Sequence, residues 1–150
     1  MSTNTDTSKL DDLIHTVIDS INGFERSAED APDGRFASFF RDMARERREV
    51  VARLQEQSRA LGGSPTEQGS IAAALHRRWE DLRAALGGGD KAVIQEVERG
   101  EDYLKEEFER AMNDTNVSAQ TRGVIESCYA SVRRGHDTAR DLKRQLEAAD

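Results

Sequence analysis

A chain of 150 residues has the size of one domain and is long enough to bury a hydrophobic core without disulfides. Its 22 Lys and Arg against 29 Asp and Glu give a net charge of -7. This balance excludes general binding to nucleic acid or to an anionic membrane, because no basic excess is present to neutralise phosphates. The single cysteine, Cys128, excludes an intrachain disulfide and a cysteine-rich metal site, and we expect it in a helix core.

The start of the chain is polar. Residues 1–8 have neither the basic segment nor the apolar segment of a secretory signal. No apolar run approaches the ~20 residues of a membrane span. These features predict a soluble, cytoplasmic protein without a membrane partner. We expect residues 1–7 to be a disordered tail and residues 8–150 to form a single helical-bundle domain.

Two long amphipathic helices are predicted next, over residues 8–30 and 35–61. Apolar residues recur with the 3.6-residue period of a helix in both. They are Leu10, Leu13, Ile14, Val17, Ile18, Ile21, Phe24 and Ala28, then Phe36, Phe39, Phe40, Met43, Val50, Val51, Leu54 and Leu61. The Pro32-Asp33-Gly34 turn makes the helices antiparallel neighbours, and Gly62-Gly63 ends the second. The three phenylalanines cannot share one stripe, so one is expected partly exposed, at a bundle end or in a self-association surface.

A shorter helix is predicted between Gly62-Gly63 and Gly87-Gly88-Gly89, with two alternative starts, at Ser64-Pro65-Thr66-Glu67 and at Gly69-Ser70. From the second start it spans residues 70–86. Its apolar face is formed by Ile71, Leu75, Trp79, Leu82 and Leu86. At ~1.5 Å per residue this helix is about 25 Å long, enough to carry the chain back along most of the second helix. The second and third long helices would then be parallel, which is the one-crossover topology of ferritin-like folds.

The third and fourth long helices are predicted to follow Asp90 and the polar turn at residues 113–116. Their apolar stripes are Val93, Ile94, Val97, Leu104, Phe108 and Met112, then Val124, Ile125, Cys128, Val132, Ala139, Leu142 and Leu146. The predicted fold is therefore all-α, a ferritin-like four-helix bundle with a short crossover helix between helices two and three.

Bundles of this kind often hold a carboxylate-bridged metal pair, with inward Glu from two helices and Glu-x-x-His from the other two. The apolar stripes here break at Glu46-Arg47, Gly100-Glu101 and Gly135-His136, which predicts a buried polar site. The metal ligand set is incomplete, however. Ile18 lies opposite Glu46, and Arg133 stands three residues before His136, where a carboxylate would be needed. We expect no catalytic residues, no metal ligands and no cofactor.

The two glycines in these breaks, Gly100 and Gly135, are predicted to lie at nearly one level and to leave a dent between helices three and four. Two interpretations are open. The dent is a packing notch filled by Trp79 or His76 of the crossover helix. Alternatively, it is a small polar pocket, whose candidate residues are Glu98, Glu101, His136, Arg99 and His76.

Several segments of the chain together form a recognisable pattern: Gly23-Phe24, Ala28-Glu29-Asp30, Leu61-Gly62-Gly63-Ser64-Pro65, Gly69-Ser70, Ala74-Leu75-His76-Arg77 with Trp79, residues 98–102, and His136-Asp137. This pattern resembles that of an uncharacterised bacterial family of four-helix-bundle proteins in the ferritin-like superfamily. The resemblance covers residues 10–146. It implies the fold and implies no activity, and helix two departs from it at the charged run Glu46-Arg47-Arg48-Glu49.

These observations predict a non-enzymatic structural or protein-interaction module, for instance a stress-associated one, whose partner is a second copy of itself or another protein. An alternative is a ferritin-like metal-binding or redox protein with a degenerate carboxylate and histidine site around Glu98, Glu101 and His136. A third interpretation is a small-ligand binder that uses the glycine dent.

Overall fold

The computed structural model describes the backbone of residues 3–30, 34–66 and 90–148. Within these ranges it contains four helices, α1 (Thr3–Asp30), α2 (Gly34–Ala60), α3 (Asp90–Met112) and α4 (Ala119–Ala148), and no strand. The predicted all-α four-helix bundle is confirmed. The predicted crossover helix, with Trp79 and His76, lies outside the described residues.

The apolar stripes predicted from the sequence form the core of the bundle. Its fully buried members include Leu10, Ile14, Val17, Phe40, Leu54, Ile94, Phe108, Ile125, Cys128 and Val132. Phe24, Phe39 and Phe40 form an aromatic cluster between α1 and α2, with ring centroids 5.5 to 6.3 Å apart. Of the three phenylalanines at the start of α2, Phe36 and Phe40 are buried and Phe39 is half-buried, as their spacing requires.

The end of α2 has the geometry predicted from its two glycines. Gly62 has a φ of 83°, a conformation that glycine adopts without steric cost. The amide of Gly63 donates to the carbonyl of Ser58 over 2.9 Å, and that of Gly62 donates to Arg59 over 2.9 Å. These two bonds make a Schellman cap, which satisfies carbonyls that the helix itself leaves unpaired.

The start of the chain differs from the prediction of a disordered tail over residues 1–7. Helix α1 begins at Thr3, and the side chain of Asp6 is only 2% exposed. Asp6 accepts hydrogen bonds from the backbone and hydroxyl of Ser118 and from the hydroxyl of Thr121. The prediction was wrong for residues 3–7 because it considered only local apolar spacing, whereas this first turn is held by polar contacts with the start of α4.

The direction of the helices follows from contacts at one end of the bundle. Thr121, at the start of α4, contacts Asp6 near the start of α1 and Gln57 near the end of α2. Lys9 forms an ion pair over 3.8 Å with Asp114, just after α3. The start of α1 and the ends of α2 and α3 therefore lie together, so α2 and α3 are parallel, as predicted. The end of α2 and the start of α3 therefore lie at opposite ends of the bundle, separated by about the ~40 Å length of α2.

Helices α1 and α2 form one closely packed antiparallel pair and α3 and α4 form the other. The two pairs meet through α2 against α4 and α1 against α3. Each helix therefore has two antiparallel neighbours, and the parallel helices face each other across the core. None of the described helices is long and apolar enough to cross a membrane.

Candidate functional site

A buried arginine occupies the centre of the bundle. Arg47 is 0% exposed and is the largest fully buried side chain among the described residues. It lies seven residues from both Phe40 and Leu54 on α2, so the helical repeat places it on the stripe that faces the core. A guanidinium remains charged at any ordinary pH, so its burial requires a partner of opposite charge.

That partner is Glu101 of α3, which is 2% exposed. Nη1 of Arg47 donates to Oε1 of Glu101 over 3.1 Å, and Nη2 donates to Oε2 over 2.5 Å. The fork of the guanidinium thus matches both carboxylate oxygens, the strongest common geometry for such a pair. The ion pair joins the two parallel helices across the core.

The α1 helix completes the surroundings of the guanidinium. The hydroxyl of Ser20 accepts a hydrogen bond from Nη1 of Arg47 over 3.3 Å and donates its own proton to the carbonyl of Val17. The guanidinium carbon lies 5.6 Å from the ring centroid of Phe24, within the range of a cation–π contact. Nε of Arg47 is buried and has no hydrogen-bond partner in the described part of the chain.

Gly135 of α4 closes the fourth side. A Cβ atom at this position would lie 2.5 Å from Nη2 of Arg47 and 3.4 Å from Oε2 of Glu101, and it would also contact the methyl group of Met43. Only glycine leaves room for the ion pair here. The three polar breaks predicted from the sequence therefore meet in one buried cluster.

The prediction of a dent between two glycines is wrong for Gly100. Gly100 is exposed, and a Cβ atom there would have no other atom within 4 Å. The space beside Gly135 is filled by Arg47 from α2. The break at Glu46-Arg47 is visible in the sequence, and the spacing of Arg47 from Phe40 and Leu54 is the signal that could have placed it in the core, although no role was predicted for it.

His136 lies beside this cluster but belongs to a separate one. Its side chain is 11% exposed, with Nε2 2.5 Å from Oδ1 of Asp102 on α3 and Nδ1 3.1 Å from Oδ1 of Asp137. The hydrogen bond from His136 lowers the pKa of Asp137, and the nearby Arg140 and Arg133 add to this effect. Both ring nitrogens therefore already face carboxylates.

The predicted polar pocket is divided among different partners. Glu101 pairs with Arg47, whereas Glu98 lies 3.4 Å from Nζ of Lys143. Arg99 is exposed, and His76 lies outside the described residues. In residues 3–30, 34–66 and 90–148, no group of three or more His, Cys, Asp or Glu side chains could hold a metal ion.

A second acidic group, Glu46, neighbours Arg47 in sequence but turns to α4. It accepts hydrogen bonds from Ser131 over 2.7 Å and from Arg134. Burial alone would raise the pKa of Glu46. The hydrogen bonds from Ser131 and Arg134 and the positive charges of Arg134 and Arg47 outweigh this effect, so the pKa is lowered. The carboxylate is therefore held in its charged form as a link between α2 and α4.

Residues 6–114 match the model of a family described as a domain of unknown function (DUF2383). The matched range includes Ser20, Arg47 and Glu101 and ends in the turn before α4. It covers more than half of the chain and contains both partners of the buried ion pair. A comparison of the sequence with curated proteins finds no match.

Proposed function

This chain belongs to the DUF2383 family, and we propose that it is a non-catalytic, ferritin-like bundle that acts as a structural or protein-interaction module. The ferritin-like relationship is supported by the connectivity, since α2 and α3 are parallel and one long connection joins them. The absence of a spanning helix among the described ones fits our further proposal of a cytoplasmic location.

The observation that carries the proposal is the ion pair at the centre of the bundle. In ferritin-like metal proteins the facing helices direct several carboxylates and histidines to this region, around the metal ions. Here a permanent cation, the guanidinium of Arg47, lies there and uses both oxygens of Glu101. A metal cation would have to displace this guanidinium and would gain a single carboxylate from Glu101.

The arrangement of His136 supports the same interpretation. A histidine that binds a metal offers a free ring nitrogen to it and uses the other nitrogen for an orienting hydrogen bond. Both nitrogens of His136 lie within 3.1 Å of carboxylate oxygens of Asp102 and Asp137. The imidazole thus links α3 to α4, which is a structural task.

The first test is iron binding by untagged protein reloaded with Fe(II) and freed of excess metal. We expect well below one iron ion per chain by elemental analysis. Binding of about two ions per chain, as in a carboxylate-bridged pair, and its loss in His136→Ala would instead support the alternative of a ferritin-like metal-binding or redox protein. Glu106→Ala, at an exposed carboxylate of α3, is the control for general loss of surface charge.

The partner is proposed to be a second copy of the chain or another protein. Sedimentation velocity over a wide range of protein concentration tests self-association directly. A sedimentation coefficient that rises with concentration supports association of copies. A constant value for a monomer argues against it and directs the search to other proteins as partners.

A further inference from the structure

Among the described side chains of the four helices, α4 buries the largest share of polar residues and glycine. Its buried residues are Thr121, Ile125, Cys128, Ser131, Val132, Gly135, His136 and Ala139. Half of these are polar or glycine, whereas seven of the ten buried residues of α1 are apolar: Leu10, Leu13, Ile14, Val17, Ile21, Phe24 and Ala28, beside Asp6, Asp19 and Ser27. Because hydrophobic stabilisation scales with buried apolar area, α4 depends more on its polar contacts than α1 does.

On the side of α3, these polar contacts follow the helical repeat. Three residues of α4 spaced seven apart, and so on one stripe, each meet a carboxylate of α3. The pairs are Tyr129 with Glu109 over 2.6 Å, His136 with Asp102 over 2.5 Å, and Lys143 with Glu98 over 3.4 Å. This flank of α4 is therefore held by a row of acidic groups.

The opposite flank and the start of α4 are held in the same way. On α2, Glu46 accepts hydrogen bonds from Ser131 and Arg134. At the start of α4, Asp6 of α1 accepts hydrogen bonds from the Ser118 amide over 2.9 Å, the Ser118 hydroxyl over 2.5 Å and the Thr121 hydroxyl over 2.8 Å. Each of the other three helices thus contributes at least one carboxylate that binds α4.

We propose that α4 is an acid-released latch, in which protonation of the carboxylates that hold it frees α4 while α1 and α2 stay packed. The contact between α1 and α2 differs from these. It is built on Phe24, Phe39 and Phe40, and the charge beside their rings is the guanidinium of Arg47 rather than a carboxylate. The ion pair of Glu25 with Arg48, which also joins the two helices, lies at their exposed edge. This inference goes beyond the proposed function and does not depend on it.

The protonation states of these carboxylates agree with such a device. Burial alone would raise the pKa of Asp6, but the hydrogen bonds from Ser118 and Thr121 outweigh it, so the pKa is lowered. A hydrogen bond from Tyr129 lowers the pKa of Glu109, with help from Lys105 and, more weakly, from the charge of Arg133. The pKa of Glu46 is lowered as described above, with Arg134 and Arg47 as the charges that face it.

The lowered pKa values determine how the stability of the closed latch changes with pH. A carboxyl group with a lowered pKa in the folded protein stabilises it fully above its ordinary pKa, and this stabilisation is lost as the pH falls through the lowered value. The ordinary values are 3.8 for Asp6 and 4.5 for Glu46 and Glu109. The latch is therefore closed at neutral pH and opens below these values.

Cys128 provides the measurement, since it is the only cysteine of the chain and is 0% exposed on α4. We would measure its labelling by a disulfide reagent that reacts in acid, divided by the rate for unfolded protein at the same pH. A second protein, Cys128→Ser with Val17→Cys, reports on the buried face of α1. Opening of α4 alone should label Cys128 at least about tenfold faster than the α1 reporter below pH 4.5. Equal rates at the two positions would overturn the proposal.

Neutral variants test the same carboxylates at pH 7, without a change of pH. Asp6→Asn should accelerate Cys128 labelling by about tenfold, and Glu46→Gln by about threefold because its ion pair is partly solvated. The matched controls are Asp12→Asn and Glu49→Gln, both at exposed positions of the same helices. Labelling that is unchanged in both test variants, or equally changed in the controls, would refute the role of these carboxylates.

Discussion

Removing the guanidinium of Arg47 should destabilise this protein far more than removing any exposed arginine. In Arg47→Met the carboxylate of Glu101, 2% exposed, would lose the partner that binds both of its oxygens. Leaving one member of a buried ion pair without the other costs about 3–5 kcal/mol. A domain with a total stability of about 5–15 kcal/mol would lose a large part of it.

The double variant separates the cost of a buried charge from the value of the pair. Arg47→Met with Glu101→Leu removes both charges and fills the space with apolar groups. Such replacements are often neutral or stabilising by about 1–4 kcal/mol, so the double variant should be at least as stable as the native chain. Only the single changes should be severe.

Urea unfolding followed by circular dichroism measures these differences, with Arg41→Met as the control. Arg41 is exposed on the same helix, and its replacement should change the free energy of unfolding by less than about 0.5 kcal/mol. An Arg47→Met protein within about 1 kcal/mol of the native chain would refute the reasoning, because an uncompensated buried carboxylate cannot be that inexpensive.

Three further results are expected. Gly135→Ala should lower the free energy of unfolding by about 1–3 kcal/mol, because the added methyl group meets the guanidinium of Arg47. Gly100→Ala should raise it by about 0.5–1 kcal/mol, since that position is open. Urea unfolding of both variants measures these changes, and a change of the same sign in the two would contradict the prediction. Gly62→Ala should cost about 1 kcal/mol in the same assay because its φ is 83°, and a neutral effect would argue against the left-handed cap. Burial and a neighbouring carboxylate raise the pKa of Tyr129 to about 12, so ultraviolet absorbance should show one of the two tyrosines ionising near that pH, and a single transition near the ordinary value would contradict the buried hydrogen bond.

The four helices could be predicted from the sequence because each carries a regular apolar stripe and ends at strong signals. The parallel arrangement of α2 and α3 was also predictable, from the length of the chain between Gly62 and Gly89. The first turn of α1 could not be predicted in this way. Its anchor is Asp6, whose partners Ser118 and Thr121 lie more than a hundred residues away, and nothing in the local pattern indicates that contact.

The position of the polar site along the helices could be predicted from the sequence, but the complete set of residues that form it could not. Breaks in the stripes of α2, α3 and α4 marked the level at which Arg47, Glu101 and Gly135 meet. The seven-residue spacing of Arg47 from Phe40 and Leu54 indicates that Arg47 rather than Glu46 points inward, but it does not indicate which carboxylate of α3 pairs with Arg47. Glu98 and Glu101 likewise lie on one side of α3, and only the three-dimensional packing sends one to Lys143 and the other into the core.

The buried ion pair also has a consequence for assembly of the chain. Arg47 belongs to the hairpin of α1 and α2, and Glu101 belongs to the hairpin of α3 and α4. Sliding one hairpin along the other by a single helical turn, about 5.4 Å, would bury both charges apart from each other. We therefore expect the two hairpins to dock in one register only, with the pair acting as a check on alignment that a purely apolar core of the same volume would not provide.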